Sequence, residues 1–313
     1  MQGIWLYSED TTIIKQLLTV GKELKMAMHQ PIGVITLCAD DANAFISAGA
    51  DKVCVIKGDS TWAESYADTI ADILAKEEAS VFLSGGTMRG KDLAAKVAAK
   101  LQAALVTDAQ TVEFTDNTIK TTRLLYGGLA IATDAVSLPA LVTVPPQTYS
   151  EAVANGDTQG DIITIEVSVN KENITISNVC PIVKTGVNLS TAKRVVCVGR
   201  GLAKQEDLAM VESLAESLDA EIGCTRSIAE DYHWLSNDRY IGISGQKVKP
   251  DLYLGLGVSG QVQHVVGIRD SKTIIAVDTN EKAPIFEAAD YGIVGDINEV
   301  VPLLTKALKT RYF

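Results

Sequence analysis

The clearest chemistry in this sequence sits where an apolar run ends in glycines. Residues 252–261 read LYLGLGVSGQ, which places Gly255, Gly257 and Gly260 in a GxGxxG pattern. The pattern lies between a strand-like run and a stretch, Ser259 to Gly267, that reads as a helix. Glycines there permit a tight turn and close backbone approach, and a helix N-terminus offers unpaired N–H groups and partial positive charge to a pyrophosphate. Asp278 ends the following apolar run, where a carboxylate reaches a ribose hydroxyl. The spacing suggests a dinucleotide. A side chain at Gly257 is therefore expected to block the ligand while leaving the fold little changed.

Three further glycine-bearing loops fall at the ends of apolar runs in the same region: Gly199-Arg200-Gly201, Gly223 to Arg226, and Gly242 to Gly245. Each presents a guanidinium or a hydroxyl, namely Arg200, Thr225 with Arg226, and Ser244. In a doubly wound sheet the carboxyl ends of the strands open into one crevice, so a shared ligand is expected. His264 lies one helical turn beyond the glycine loop, where a ring nitrogen faces a bound cofactor. With three histidines in the chain, no multi-histidine metal site is expected. No GxSxG elbow occurs, which disfavours a Ser-His-Asp hydrolase. Ser84 to Asp92 resembles a phosphate loop but lacks its spacing, and reads as a helix start with Arg89 and Lys91 exposed.

These loops need strands to carry them. Gly3–Tyr7, Gly33–Leu37, Val53–Ile56 and Ser80–Ser84 read as strands alternating with helices at Thr12–Met28, Trp62–Lys76 and Lys91–Leu101, a pattern of parallel α/β structure. Val112–Phe114, Thr118–Leu125, Ala140–Val144, Ile162–Val169 and Ile174–Val179 then suggest an antiparallel or mixed extension of that sheet. Pro181–Lys193 reads as a linker. Beyond it, Arg194–Val198, Ala220–Gly223, Leu252–Leu256, Thr273–Val277 and Tyr291–Val294, with helices between them, form a second unit. The expected fold is α/β in two domains: an N-terminal, mostly parallel sheet with extra antiparallel strands, and a C-terminal doubly wound domain.

The 313 residues suffice for two cores, and 47% hydrophobic with 21% charged residues is a globular balance. A net charge of −11 repels phosphate backbones and anionic lipid, so no nucleic-acid partner is expected. The apolar window Gly127–Pro146 contains Asp134 and three prolines and is no spanning helix, so no membrane insertion is expected. Five scattered cysteines without a CxxC pair suggest reduced thiols and a cytoplasmic setting.

Taken together, the motifs of residues 194–304 resemble the alpha subunit of electron transfer flavoproteins. The matching pieces are Val198–Leu202, Thr225-Arg226, Tyr253–Gly267 with its SGQVQH run, Asp270–Thr273, Ala283–Phe286 and Ala289–Asp296. Ala229-Glu230 and the run from Tyr240 to Ser244 look like the bacterial Fix and carnitine-pathway type. The resemblance implies FAD, bound by residues 194–313. It also implies an N-terminal domain, 1–185, that mainly holds a beta subunit, with a linker at 186–193. Electrons would pass between an acyl-CoA dehydrogenase-type flavoprotein and a quinone oxidoreductase or ferredoxin.

Carried over by position, Arg200 and Thr225 touch the cofactor, Arg226 lies against the isoalloxazine, and Ser244 bonds near flavin N5. Ser259, Gly260, Gln261, Val262, Gln263 and His264 wrap the pyrophosphate and ring, with His264 near the N1 and C2 carbonyl edge. Asp278 and Asp296 serve the ribose and adenosine end, and Ile241, Gly242, Ile243 and Ile297 complete the set. The family commonly has Asn at position 278, Ser at 225 and a GQTGK loop at 242–246, so the contacts at those places differ here. On the glycine pattern and Asp278 alone, an NAD(P)-dependent dehydrogenase remains open, as does a non-redox nucleotide-binding regulator.

Overall fold

The computed structural model describes residues 2–58, 60, 62–154, 159–167, 177, 178, 180 and 189–311. The chain divides into two compact units, Met1–Ser177 and Asn178–Phe313. Most of the strand expected at Ile174–Val179 and most of the linker expected at Pro181–Lys193 lie outside the described residues. From Leu189 onward the chain packs into the second unit: Leu189 is buried in one cluster with Val195, Cys197, Ile241 and Tyr253.

The first unit runs β1 (Gly3–Tyr7), α1 (Thr11–Met28), β2 (Ile32–Thr36), α2 (Ala42–Ser47), β3 (Lys52–Gly58), α3 (Ala67–Lys76), β4 (Ala79–Gly85) and α4 (Met88–Leu101). It continues with β5 (Ala104–Val106), β6 (Ala109–Thr115), β7 (Thr118–Leu125), β8 (Ala130–Ser137), β9 (Ala140–Val144) and β10 (Asp161–Val167). Seven strands form a wholly parallel sheet in the order β10-β3-β2-β1-β4-β9-β5. β1, β2 and β9 are buried along their whole length, as strands covered on both faces must be. The helix α1 starts at Asp10, whose carboxylate accepts from the N–H groups of Thr12 and Ile13, and buries Ile14, Leu17, Leu18 and Leu24 against the sheet.

The antiparallel strands do not extend this sheet. β6, β7 and β8 make a three-stranded sheet of their own, while β9 and β10 join the large sheet in parallel. The burial pattern explains the separation: β8 alternates partly buried with exposed residues, which suits a sheet with one covered face. β8 and β9 also occupy the apolar window at 127–146. No helix among the described residues is long and apolar enough to cross a membrane.

The second unit runs β11 (Arg194–Val198), α5 (Leu208–Leu218), β12 (Glu221–Cys224), β13 (Leu252–Leu256), α6 (Val262–Val265), β14 (Ile274–Asp278), α7 (Ile285–Ala288), β15 (Tyr291–Val294) and α8 (Ile297–Arg311). All strands are parallel, in the order β12-β11-β13-β14-β15. The chain steps from β11 to β12 on one side and then returns to β13 on the other. That reversal opens a crevice at the carboxyl ends of β11 and β13. Side chains alternate across the sheet: Val196, Val198, Leu254 and Leu256 face the α5 and α8 layer, while Val195, Cys197 and Tyr253 face Ile241, Ile268 and Ile285.

Two expectations for this unit need correction. The segment after the glycine loop is one helical turn beginning at Val262, not a helix from Ser259, so little dipole stands behind the loop. Gly257, at φ +60°, is held by protein backbone: a Cβ there would lie 2.5 Å from Gly201 Cα and 2.8 Å from Ile297 Cδ1. Its side chain is excluded by the fold itself, before any ligand arrives. Of the five cysteines, Cys54, Cys197 and Cys224 are buried and Cys38 and Cys180 exposed, all as free thiols.

Candidate cofactor site

The crevice between β11 and β13 is built by two backbone loops locked together. Gly199 N–H donates to Leu256 O and Gly201 N–H to Gly257 O, both at 3.0 Å, while Gly257 N–H reaches back to Val277 O on β14. The turn after β12 is tied in by Thr225 N–H donating to Val198 O at 2.9 Å. Three strand ends and the 240–246 loop thus enclose one cleft of about 530 Å³.

Eleven of the sixteen expected site residues line this cleft. Arg200 enters from the β11 end, Thr225 and Arg226 from β12, Ile243 and Ser244 from the 240–246 loop. Ser259, Gly260, Gln261, Gln263 and His264 come from the β13 end and Asp278 from β14. Gly260, at φ +77°, makes its turn against the backbone of Ile285, where a Cβ would come within 2.2 Å of the Ile285 nitrogen.

The other five do not line it. Ile241 and Ile297 are core residues, at 0% and 4% exposure. Gly242 donates its N–H to Gln246 O behind the loop, and Val262 points outward, 43% exposed. Asp296 accepts from Asn298 N–H at 2.8 Å, capping the first turn of α8. The cleft also contains Gly201, Ser227, Tyr240, Gly257 and Val258. The Tyr240 hydroxyl lies 3.2 Å from Ser244 Oγ.

Two polar atoms in these walls are buried without a hydrogen-bond partner, Thr225 Oγ1 and His264 Nδ1. Orphans of this kind are costly and mark places where a bound group completes the bonding. Burial pushes the His264 ring down to about 4, with the backbone of Ile241 pulling the other way, so the ring is neutral at pH 7. Arg200 is exposed and has no carboxylate in ion-pair distance among the described residues, which leaves its charge free for an anion. One oxygen of Asp278 accepts from Asn280 N–H at 2.9 Å, leaving the other for a ligand hydroxyl.

Residues 188–269 match the family profile described as the electron transfer flavoprotein FAD-binding domain, and residues 11–170 match the electron transfer flavoprotein domain. YdiR of Escherichia coli (strain K12), provisionally named as an electron transfer flavoprotein subunit, is 38% identical over 98% of this chain and 98% of its own. Protein FixB of Shigella dysenteriae serotype 1 (strain Sd197) is 36% identical over 97% of each chain, as is Protein FixB of Escherichia coli (strain K12). The chain belongs to the electron transfer flavoprotein alpha subunit family, of the Fix type. Among solved structures, a chain described as a thiamin diphosphate-dependent enzyme from Mycobacterium smegmatis aligns at 12% identity over 93% of this chain and 53% of its own. Its TM-score of 0.24 carries no argument.

FAD is the cofactor of this family's domain, and the orphaned hydroxyl and imidazole fit a flavin, whose ring offers both acceptor and donor atoms. An alpha subunit of this family works with a beta subunit. Arg226, expected against the ring, pairs with a carboxylate of its own chain. Its side chain is 68% exposed at the rim, and its Nε donates to the Glu230 carboxylate one turn along the π-helical turn Ser227–Asp231.

Two measurements follow. Thr225→Val removes a hydroxyl that has no partner, so the flavin-free chain should unfold at the same urea concentration or higher. FAD affinity should fall roughly three- to tenfold, the value of one hydrogen bond. Lower stability with unchanged affinity would make the hydroxyl structural instead. If the guanidinium turns from Glu230 to the flavin, Arg226→Ala lowers the reduction potential and Glu230→Gln raises it, both without change in melting temperature. Spectroelectrochemistry reads both; identical potentials in the two variants remove Arg226 from the ring.

Proposed function

We propose that this chain binds FAD in the cleft at the carboxyl ends of β11 to β14. Together with a beta subunit it carries electrons between an acyl-CoA dehydrogenase-type flavoprotein and a quinone oxidoreductase or ferredoxin. The observation that carries the reading is the pair of buried, partnerless atoms, Thr225 Oγ1 and His264 Nδ1, in two residues that line one cleft built on a GxGxxG turn. The flavin, when bound, supplies the redox chemistry.

The chain's own residues bind and orient it. Arg200 and the glycine turn hold the pyrophosphate, Asp278 accepts from a ribose hydroxyl, and Thr225, Ser244 and His264 offer the polar contacts to the ring. Residues 1–185 mainly hold the beta subunit. Reduced thiols throughout suit a cytoplasmic setting.

The visible absorption spectrum of the chain purified with its beta subunit tests this reading against a nicotinamide-dependent dehydrogenase or a redox-silent regulator. A yellow complex that releases FAD on denaturation is the expected result. A colourless complex that takes up no FAD on addition would contradict it.

A further inference from the structure

Below the cleft floor lies a buried polar cluster that the cofactor contacts above do not use. Tyr253, on β13, is 0% exposed, and its hydroxyl lies 2.7 Å from His264 Nε2. The sulfur of Cys197, on the adjacent strand β11, lies 3.9 Å from the same nitrogen. Gly255 lies beside this arrangement: a Cβ there would stand 3.2 Å from Tyr253 Cε1. The ring's other nitrogen, Nδ1, is the one left without a partner, in a residue that lines the cleft.

A neutral imidazole carries one proton, and its position is set by the partners of the two nitrogens. With the proton on Nδ1, Nε2 is an acceptor for the phenol, a strong donor, and the Cys197 thiol can in turn donate to the phenol oxygen. With the proton on Nε2, the phenol must accept it, and its own hydrogen is left with sulfur, a weak acceptor. The first arrangement satisfies the buried cluster, and burial holds back the phenol and thiol from ionising. It also leaves an N–H, in place of a lone pair, on the nitrogen that has no partner.

We propose that Tyr253 is a positioning residue: its buried hydroxyl donates to His264 Nε2, fixes the ring as the Nδ1–H form, and so presents an uncharged N–H to an acceptor atom of the bound flavin. The last part rests on the FAD reading; the proton placement does not. A donor without net charge binds a carbonyl or ring nitrogen without the desolvation a buried imidazolium would cost.

The test is 15N NMR of the full-length chain labelled with 15N-histidine, recorded without and with FAD. The chain has three histidines, and His264→Phe identifies the signals of interest. The expected spectrum has a protonated Nδ1 and an unprotonated Nε2 for His264 in both states. In Tyr253→Phe the Nε2–H form should become the major one, since sulfur is then its nearest acceptor. FAD affinity should drop roughly three- to tenfold, one hydrogen bond's worth. An Nε2–H ring in the wild-type chain, readable even if the variant fails to fold, overturns the proposal, as does an unchanged ring form in a folded Tyr253→Phe. An Nδ1–H ring in a chain that binds no FAD upholds the positioning by Tyr253 and overturns the cofactor reading.

Discussion

Replacing Gly257 with valine is expected to destabilise the whole second unit, with loss of FAD as a consequence. The position has φ +60°, and a Cβ would meet Gly201 Cα at 2.5 Å and Gly201 N at 2.9 Å. These obstacles are backbone atoms of a loop bonded to Gly257 O, so they cannot swing aside. A left-handed conformation costs an L-residue roughly 1–2 kcal/mol, and overpacking adds about 1–3 kcal/mol. The sum is a large share of a stability of about 5–15 kcal/mol. For a unit of this size, thermal melts of the flavin-free chain followed by circular dichroism should fall by roughly 10–20 °C. Gly257→Ala should fall less, having the same backbone strain with a smaller clash. A valine variant that melts like the wild type but has lost FAD would return this glycine to a purely ligand-facing role.

The second large effect is acid destabilisation through His264. The folded ring titrates near 4 because burial disfavours its charge, whereas an unfolded histidine titrates near 6.5. Between these values the unfolded chain binds more protons, so stability rises with pH across that window and is fully present above it. By pH 4 the native state has lost on the order of 3 kcal/mol through this one group. His264→Phe keeps a ring in the space but cannot take a proton. It leaves the Tyr253 hydroxyl unpaired, a penalty of roughly 1–3 kcal/mol at every pH. Urea midpoints of the flavin-free proteins should therefore differ most at pH 7 and converge, or cross, on approach to pH 4. A constant gap across the range would mean that His264 does not titrate between the folded and unfolded states.

Much of this site is legible in the sequence because its parts are local. Val195–Val198 and Leu252–Leu256 are continuous apolar runs, as buried parallel strands require, and glycines follow each directly. The position of Asp278 at the end of β14 follows from the same rhythm. What the sequence hides depends on distance in the chain. Gly257 faces Gly201 because β11 and β13 are neighbours across the point where strand order reverses, which no spacing reveals. Tyr253 and Cys197 meet His264 across one face of the sheet for the same reason.

Other features that the sequence hides are of period and partner. Alternation along β8 was masked by a high apolar content, so the strand read as part of an apolar window. Arg226 and Glu230 stand four apart, a spacing at which helical neighbours pair, and they do so here. Arg89 likewise read as an exposed residue, yet it forms a two-point ion pair with the nearly buried Glu64, at 2.9 Å for each bond. The first unit has its own cleft of about 450 Å³ at the ends of β1, β2 and β3, which serves as the internal control for the ligand's location.

Hydrogen exchange measured by mass spectrometry on the chain with its beta subunit, with and without FAD, tests the location of the ligand most directly. The account predicts that FAD slows exchange in the four loops at 199–202, 225–228, 241–246 and 257–264, and leaves the first-unit loops at 8–10, 37–41 and 85–90 unchanged. Protection confined to the first-unit loops, or no protection in the second-unit loops at saturating FAD, would contradict it.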